Sequence, residues 1–160
     1  MLKVDIICVG KLKEKYLRDA QSEYEKRLSK YCRLSILEVA DEKTVEGAGE
    51  AQLQRIKETE AERLLKHVRD DAFLITLEIE GEQKSSEELS DYLYRLGIKG
   101  ISHVQFIIGG SLGLPELITK KAGLHLSFSR LTFPHQLMRV ILLEQIYRCF
   151  KISANEPYHK

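Results

Sequence analysis

The chain contains no tryptophan, three prolines and three cysteines. Cys8, Cys32 and Cys149 show no Cys-x-x-Cys spacing, and each lies within an apolar or helical pattern. That argues against zinc and disulfides and for buried, reduced thiols. No apolar run approaches the roughly 20 residues that a membrane-spanning helix requires. The stretch nearest the start, VDIICVG, passes at once into lysines and is short for a signal peptide. A membrane role is therefore not expected, and the cytoplasm is the expected location. Internal repeats, low-complexity tracts and linkers are also missing, which points to a single domain over residues 1–160. Its 43% hydrophobic content is enough for a real core.

A dominant charge is lacking too, but the net charge of +1 hides an uneven distribution. Residues 1–33 carry +4, residues 34–101 carry −7 and residues 102–160 carry +4. The lysines either face water on amphipathic helices or, where the two ends meet in space, form one basic surface for an anionic partner.

What is present alternates between strand and helix periodicity. VDIICVG (4–10) reads as a buried strand, and the spacing of Leu12, Tyr16, Ala20, Tyr24, Leu28 and Tyr31 predicts a following helix. A second strand is expected over 33–40, a charged helix over 51–68 and a third strand over 72–79. SSEELSDYLYRLG opens with a capping signature, with Gly97 as its expected end. Further strands are expected over 103–108 and 124–131, a short helix over 114–121 and a long final helix over 134–152. The pattern predicts an α/β fold, a mostly parallel sheet with helices on both faces.

FIIGGSLGLP (106–115) breaks an apolar run with glycines. A dinucleotide fingerprint needs a glycine where Ile108 stands, and a P-loop needs a lysine and a hydroxyl residue where Leu114 and Pro115 follow Gly113. Both phosphate readings fail on residue identity. What remains is a loop through which backbone approaches a ligand such as an adenosine compound without a pyrophosphate, or else a sharp turn. In the final helix, Val140, Ile141, Leu142, Leu143, Ile146, Tyr147 and Phe150 cover more than one face, which predicts burial on several sides and a subunit interface.

LITLEIEG, FIIGGSLGL, LSFSRLTFPHQLMRVILLEQIYR and the terminal EPYHK together closely resemble the small bacterial SPOUT-class enzymes that methylate N3 of a pseudouridine in 23S ribosomal RNA. The resemblance runs nearly end to end and includes VGKLKEKY. It implies S-adenosylmethionine as methyl donor, no metal, an obligate homodimer, 23S rRNA in the ribosome as substrate and a C-terminal trefoil knot. Carried over by motif, the donor pocket comprises Leu77, Gly109 and the run Phe128, Ser129, Arg130, Leu131, Thr132 and Phe133. Leu112 departs from the pattern, standing where a small polar or acidic residue is expected.

Methyl transfer to N3 of a pseudouridine requires loss of the imide proton, for which orientation and a base or polarising cation suffice. The resemblance of EPYHK favours Tyr158 and His159 as substrate-contacting residues. Arg139, alone in an apolar helix, is either a third member or a paired structural arginine. Arg130 and His135 complete the candidates. Glu78 and Glu80 read as solvated acids. SANEPYHK has no apolar periodicity, so it is expected to stand outside the core. Two other functions remain open, a non-catalytic ribosome-associated RNA-binding protein and a SPOUT methyltransferase acting on tRNA.

Overall fold

A computed structural model describes residues 1–160. In chain order the elements are β1 (Leu2–Val9), α1 (Lys15–Leu28), β2 (Cys32–Val39), α2 (Glu50–Leu65), β3 (Phe73–Gln83), α3 (Ser86–Ile98), β4 (His103–Ile108), α4 (Glu116–Thr119), β5 (Leu124–Ser127) and α5 (His135–Ser153). The five strands form one sheet in the order β2-β1-β4-β3-β5, and every pairing is parallel. β4 is buried along its whole length, as expected of a central strand in a sheet covered on both faces.

Strand residues of one parity, including Val4, Ile6, Ile75, Val104 and Phe106, pack with Leu28 of α1, Leu89 and Leu96 of α3, and Leu142, Leu143 and Ile146 of α5. The other parity, including Ile7, Val9, Leu74 and Ile107, packs with Ala61 and Leu64 of α2 and Ile118 of α4. Crossovers travelling one way along the sheet thus carry α1 and α3 on one face, and those travelling the other way carry α2 and α4 on the opposite face. All the crossovers therefore share one hand, as the twist of parallel strands requires.

After β5 the chain returns to the first face, where α5 packs between α1 and α3. That position explains the wide apolar surface of α5. Leu142, Leu143, Ile146 and Cys149 are fully buried within the chain, so much of the surface read as an interface is consumed internally. Leu137 and Leu131 remain exposed at 38% and 71%.

Three expected elements end early, among them α4, which covers only Glu116–Thr119 of the expected 114–121. β5 stops at Ser127 rather than 131, because Ser127 Oγ donates to the carbonyls of Ile79 and Ser129 (2.7 and 3.1 Å) while Ser129 Oγ accepts from the Leu131 amide (2.9 Å). Hydroxyls that bond nearby backbone replace the ladder with a turn. α2 ends at Leu65 rather than 68. Gly97 lies inside α3 rather than ending it; the helix closes one residue later, and the left-handed position after it is Gly100 (φ 88°). The capping box is present, with Ser85 Oγ accepting from the Glu88 amide and Glu88 accepting from the Ser85 amide, each at 3.1 Å.

Candidate active site

β4, β3 and β5 are neighbours, and Leu77 lies opposite Leu126 while Thr76 lies opposite Ile107. Gly109 and Phe128 consequently follow the carboxyl ends of β4 and β5, and Leu77 is the last residue of β3 paired before its bulge, on the rim where ligands of open α/β sheets bind. Between Leu77 and Glu82 the β3–β5 register shifts, and residues 78–81 bulge outward before pairing resumes at Glu82 and Leu126. The bulge is tied down from both sides. Glu78 accepts from Thr76 Oγ1 (2.6 Å) and bonds to His125 Nδ1, so Glu78 is an anchor rather than a solvated acid. A Cβ on Gly81 would lie 2.8 Å from the backbone of His125, which leaves room only for glycine against β5. Ile79, Glu80, Gly81, Gln83 and Arg130 line an open cavity of about 570 Å³ on this rim.

The glycine loop closes through the Gly113 amide donating to the Gly110 carbonyl (3.0 Å), with Gly113 at φ 81°. A Cβ on Gly109 would come within 2.9 Å of the Gly113 backbone, and one on Gly110 within 2.8 Å of Glu60 Oε1. These glycines are demanded first by the loop's own closure. Glu60 of α2 was not foreseen. It is 6% exposed, its Oε2 accepts from the Glu42 amide (3.0 Å), and burial pushes its pKa upward.

A second cavity, of about 360 Å³, lies between the start of α3, the end of β5 and the middle of α5. Leu89, Phe128, Phe133 and Ile141 supply apolar walls, and Ser85, Ser86 and Gln145 supply polar groups. An apolar pocket with a few convergent polar groups suits a heterocycle. Phe128 and Phe133 belong to the donor run, whereas Leu77 and Gly109 line neither cavity. Ser129, Leu131 and Thr132 form the turn between them, with Leu131 and Thr132 exposed.

The tail, expected to stand free, folds back onto α5. Asn155 takes a left-handed turn (φ 55°), and Glu156 bonds Lys151 and Tyr31, each at 2.9 Å. The Tyr158 ring meets Tyr147 edge-on (4.9 Å between centroids) under the Arg148 guanidinium, and its hydroxyl donates to Glu144 (2.9 Å). Aromatic and polar docking of this kind leaves no periodic trace in sequence. Burial, reinforced by Glu144, pushes the Tyr158 phenol up to about 12, so it stays protonated and donates.

His159 lies 2.6 Å from Glu87 through Nε2 and 3.1 Å from Arg148 Nη1 through Nδ1. A guanidinium can only donate, which fixes Nδ1 as acceptor and Nε2–H as donor to Glu87. Glu87 and Glu144 adjoin Ser86 and Gln145, which line the second cavity. Tyr158 and His159 thus dock on residues next in sequence to two that line this cavity, while neither lines the cavity itself.

Arg139 does not join them. It is 1% exposed, its Nη1 pairs with Glu38, and its Nη2 donates to the Gly10 carbonyl (3.0 Å). Nine residues separate it from Arg148, about 13 Å along α5. Its Nε is buried without a partner. The Arg139 charge also acts on His135, whose pKa is lowered first by burial and then by that guanidinium.

An open parallel sheet with crevices and a bulged strand at its carboxyl rim defines an α/β fold whose rim suits a small ligand. Residues 2–159 match the family described as Predicted SPOUT methyltransferase, and the chain belongs to that family. It is 62% identical over 159 residues to a Bifidobacterium adolescentis protein named ribosomal RNA large subunit methyltransferase H, covering 99% of this chain and 100% of that one. Proteins of the same name from Bifidobacterium animalis subsp. lactis and Clostridium novyi are 58% and 54% identical at the same coverage. A solved structure described as a probable methylase family protein from Haemophilus influenzae shares the fold. It has a TM-score of 0.56 at 13% identity, over 100% of this chain and 72% of that one.

Proposed function

We propose that this protein transfers a methyl group from S-adenosylmethionine to N3 of a pseudouridine in 23S ribosomal RNA, as a homodimer, on the assembled ribosome in the cytoplasm. The observation that carries this reading is the end-to-end identity, 54–62%, with relatives named for methylation of large-subunit rRNA. The docked tail, which holds Tyr158 on Glu144 and His159 on Glu87 and Arg148, supports it. The C-terminal knot belongs to the same proposal.

Bound at the ends of β3, β4 and β5, S-adenosylmethionine would supply an already activated methyl group, and the chemistry calls for no metal. Leu77, Gly109 and the run Phe128–Phe133 would hold it, with backbone groups and apolar side chains rather than charges as the main contacts. The chain's own task is to orient N3 and remove its proton. Tyr158, protonated and aimed by Glu144, is suited to donate a hydrogen bond to a pyrimidine carbonyl. His159 offers Nδ1 as its one free lone pair, so accepting the imide proton there requires substrate to displace Arg148. The freed guanidinium would then stand beside the developing negative charge. Arg139 is left to support the rim.

Incubating the protein with S-adenosylmethionine labelled in the methyl group and with undermethylated ribosomes or bulk tRNA tests the reading. Label in 23S rRNA at N3 of a pseudouridine is the expected result. Label in tRNA alone would transfer the activity to a different substrate, and donor binding without transfer to either RNA would make the protein a non-catalytic RNA binder.

A further inference from the structure

The turn after β1 is braced more heavily than a surface connection needs to be. Residues 10–14 join β1 to α1, and their backbone is held by side chains from two helices. Arg139 of α5 binds the Gly10 carbonyl at 3.0 Å. Arg18 of α1 donates through Nη1 to the carbonyls of Leu12 (3.2 Å) and Lys13 (2.6 Å). Gln136 of α5 accepts from the Lys13 amide at 3.3 Å, and the Gly10 amide donates to Val39 (2.8 Å). Leu12 is buried beneath the turn. With its backbone occupied in this way, the turn presents side chains to solvent, and Lys11 and Lys13 are both exposed.

Neither lysine forms an ion pair; the nearby Lys15 does, with Asp19 at 2.7 Å. Among the surrounding carboxylates Glu38 is neutralised by Arg139, and Glu14 and Asp41 remain. The turn touches the first residues of α5, which directly follow the run Phe128–Phe133. The basic segments 1–33 and 102–160 therefore do meet, and they meet at the rim that carries the donor run. The Lys13 charge extends to His135, where it adds to burial and Arg139 in lowering that imidazole's pKa.

We propose that this braced turn is a docking surface for the RNA backbone beside the target nucleotide, with Lys11 and Lys13 each neutralising one phosphate. Because the backbone that carries them is already held in place, binding orders only the lysine side chains and not the turn, so the phosphate contact keeps more of its electrostatic gain. Contacts to phosphate fix register without reading sequence, which suits a small enzyme that approaches a folded ribosomal surface. This inference rests on the proposed RNA substrate and adds the place where the RNA backbone lies.

The test measures binding and methylation of undermethylated ribosomes over a series of KCl concentrations. The proteins compared are wild type, Lys11→Gln/Lys13→Gln, and Lys66→Gln/Lys99→Gln, whose exposed lysines follow α2 and α3 at the opposite end of the sheet. For the first pair, the slope of log affinity against log salt should become shallower by about two, one per lost phosphate contact. The KM for ribosomes should rise, while S-adenosylmethionine affinity and the thermal midpoint stay at wild-type values. The control pair should leave the slope unchanged. An unaltered slope in Lys11→Gln/Lys13→Gln, or an equal change in the control pair, overturns the proposal. Failure of the wild-type protein to methylate ribosomes would instead overturn the proposed function, so the two failures are distinguishable.

Discussion

Nη2 of Arg139 donates to the carbonyl oxygen of Gly10 at 3.0 Å, joining the first turns of α5 to the end of β1. The same guanidinium pairs with Glu38, so a single buried cation fastens three elements at the carboxyl rim. Arg139→Met should lower unfolding free energy by about 3 kcal/mol, the low end for a broken buried pair, because Glu38 can still reach water. Urea denaturation measures this. Lost methylation with wild-type stability would instead assign Arg139 to the substrate.

The tail makes a contrasting prediction. Tyr158→Phe removes the hydroxyl that meets Glu144 and should cost about 1 kcal/mol. Tyr158→Ala also removes the edge-on contact with Tyr147 and should cost about 2 kcal/mol or more. A chain ending at Ala154 should therefore unfold at lower urea than wild type. Equal midpoints would show that the tail is detached in solution.

The sheet was legible because its central strands are short and mostly apolar: VDIICV and HVQFII suit a sheet covered on both faces, and the polar residues that interrupt them, Asp5, His103 and Gln105, are buried and bonded to one another. The bulge at 78–81 was not, because Glu78 gains its meaning from His125, 47 residues away. The docked tail was missed for a related reason. Tyr31, Glu87, Glu144 and Arg148 hold it through rings and charges, and a hydrophobic pattern records neither. Arg139 could be flagged as a costly charge in an apolar helix, but its partner Glu38, 101 residues earlier, could not be named. The donor residues came from motif resemblance, since nothing in their spacing specifies a ligand.

Two glycines separate backbone demand from helix propensity. Gly97 sits inside α3 with open space where a Cβ would go, so Gly97→Ala should stabilise the protein by about 0.5–1 kcal/mol. At Gly109 the same methyl would press on Gly113 at 2.9 Å. Gly109→Ala should reshape the loop and weaken S-adenosylmethionine binding, measured by calorimetry. Unchanged donor affinity would place the donor away from this loop.

Self-association should depend on the apolar residues that the chain leaves uncovered. Leu142 is fully buried in the core, whereas Leu137 is 38% exposed. Leu137→Glu should convert dimers to monomers in sedimentation experiments while preserving helical content. Leu142→Glu should unfold the chain instead, and dimers that survive Leu137→Glu would move the interface elsewhere.

Alkaline pH should destabilise the protein through its thiols. Burial raises Cys8 and Cys32 from 9.0 to about 11 and Cys149 to about 12. Between these values and 9.0 the unfolded chain has released protons that the folded chain still holds. Stability is therefore fully present below the unfolded pKa and falls as pH rises toward the folded values. Around pH 10 the three thiols together should cost roughly 3–4 kcal/mol per pH unit. Tyr158, raised from 10.0 to about 12, extends the decline to still higher pH. Urea midpoints in the presence of reductant should fall steeply between about pH 9 and about pH 11, and Cys32→Ala should flatten that slope by about one third. A thiol reagent added at about pH 8 should label none of the cysteines in the native protein and all of them in denaturant, because the thiolate is the reactive form and burial suppresses it. Rapid labelling of Cys8 or Cys149 in the native state would show that the sheet-to-α5 packing opens in solution and that burial does not set their acidity.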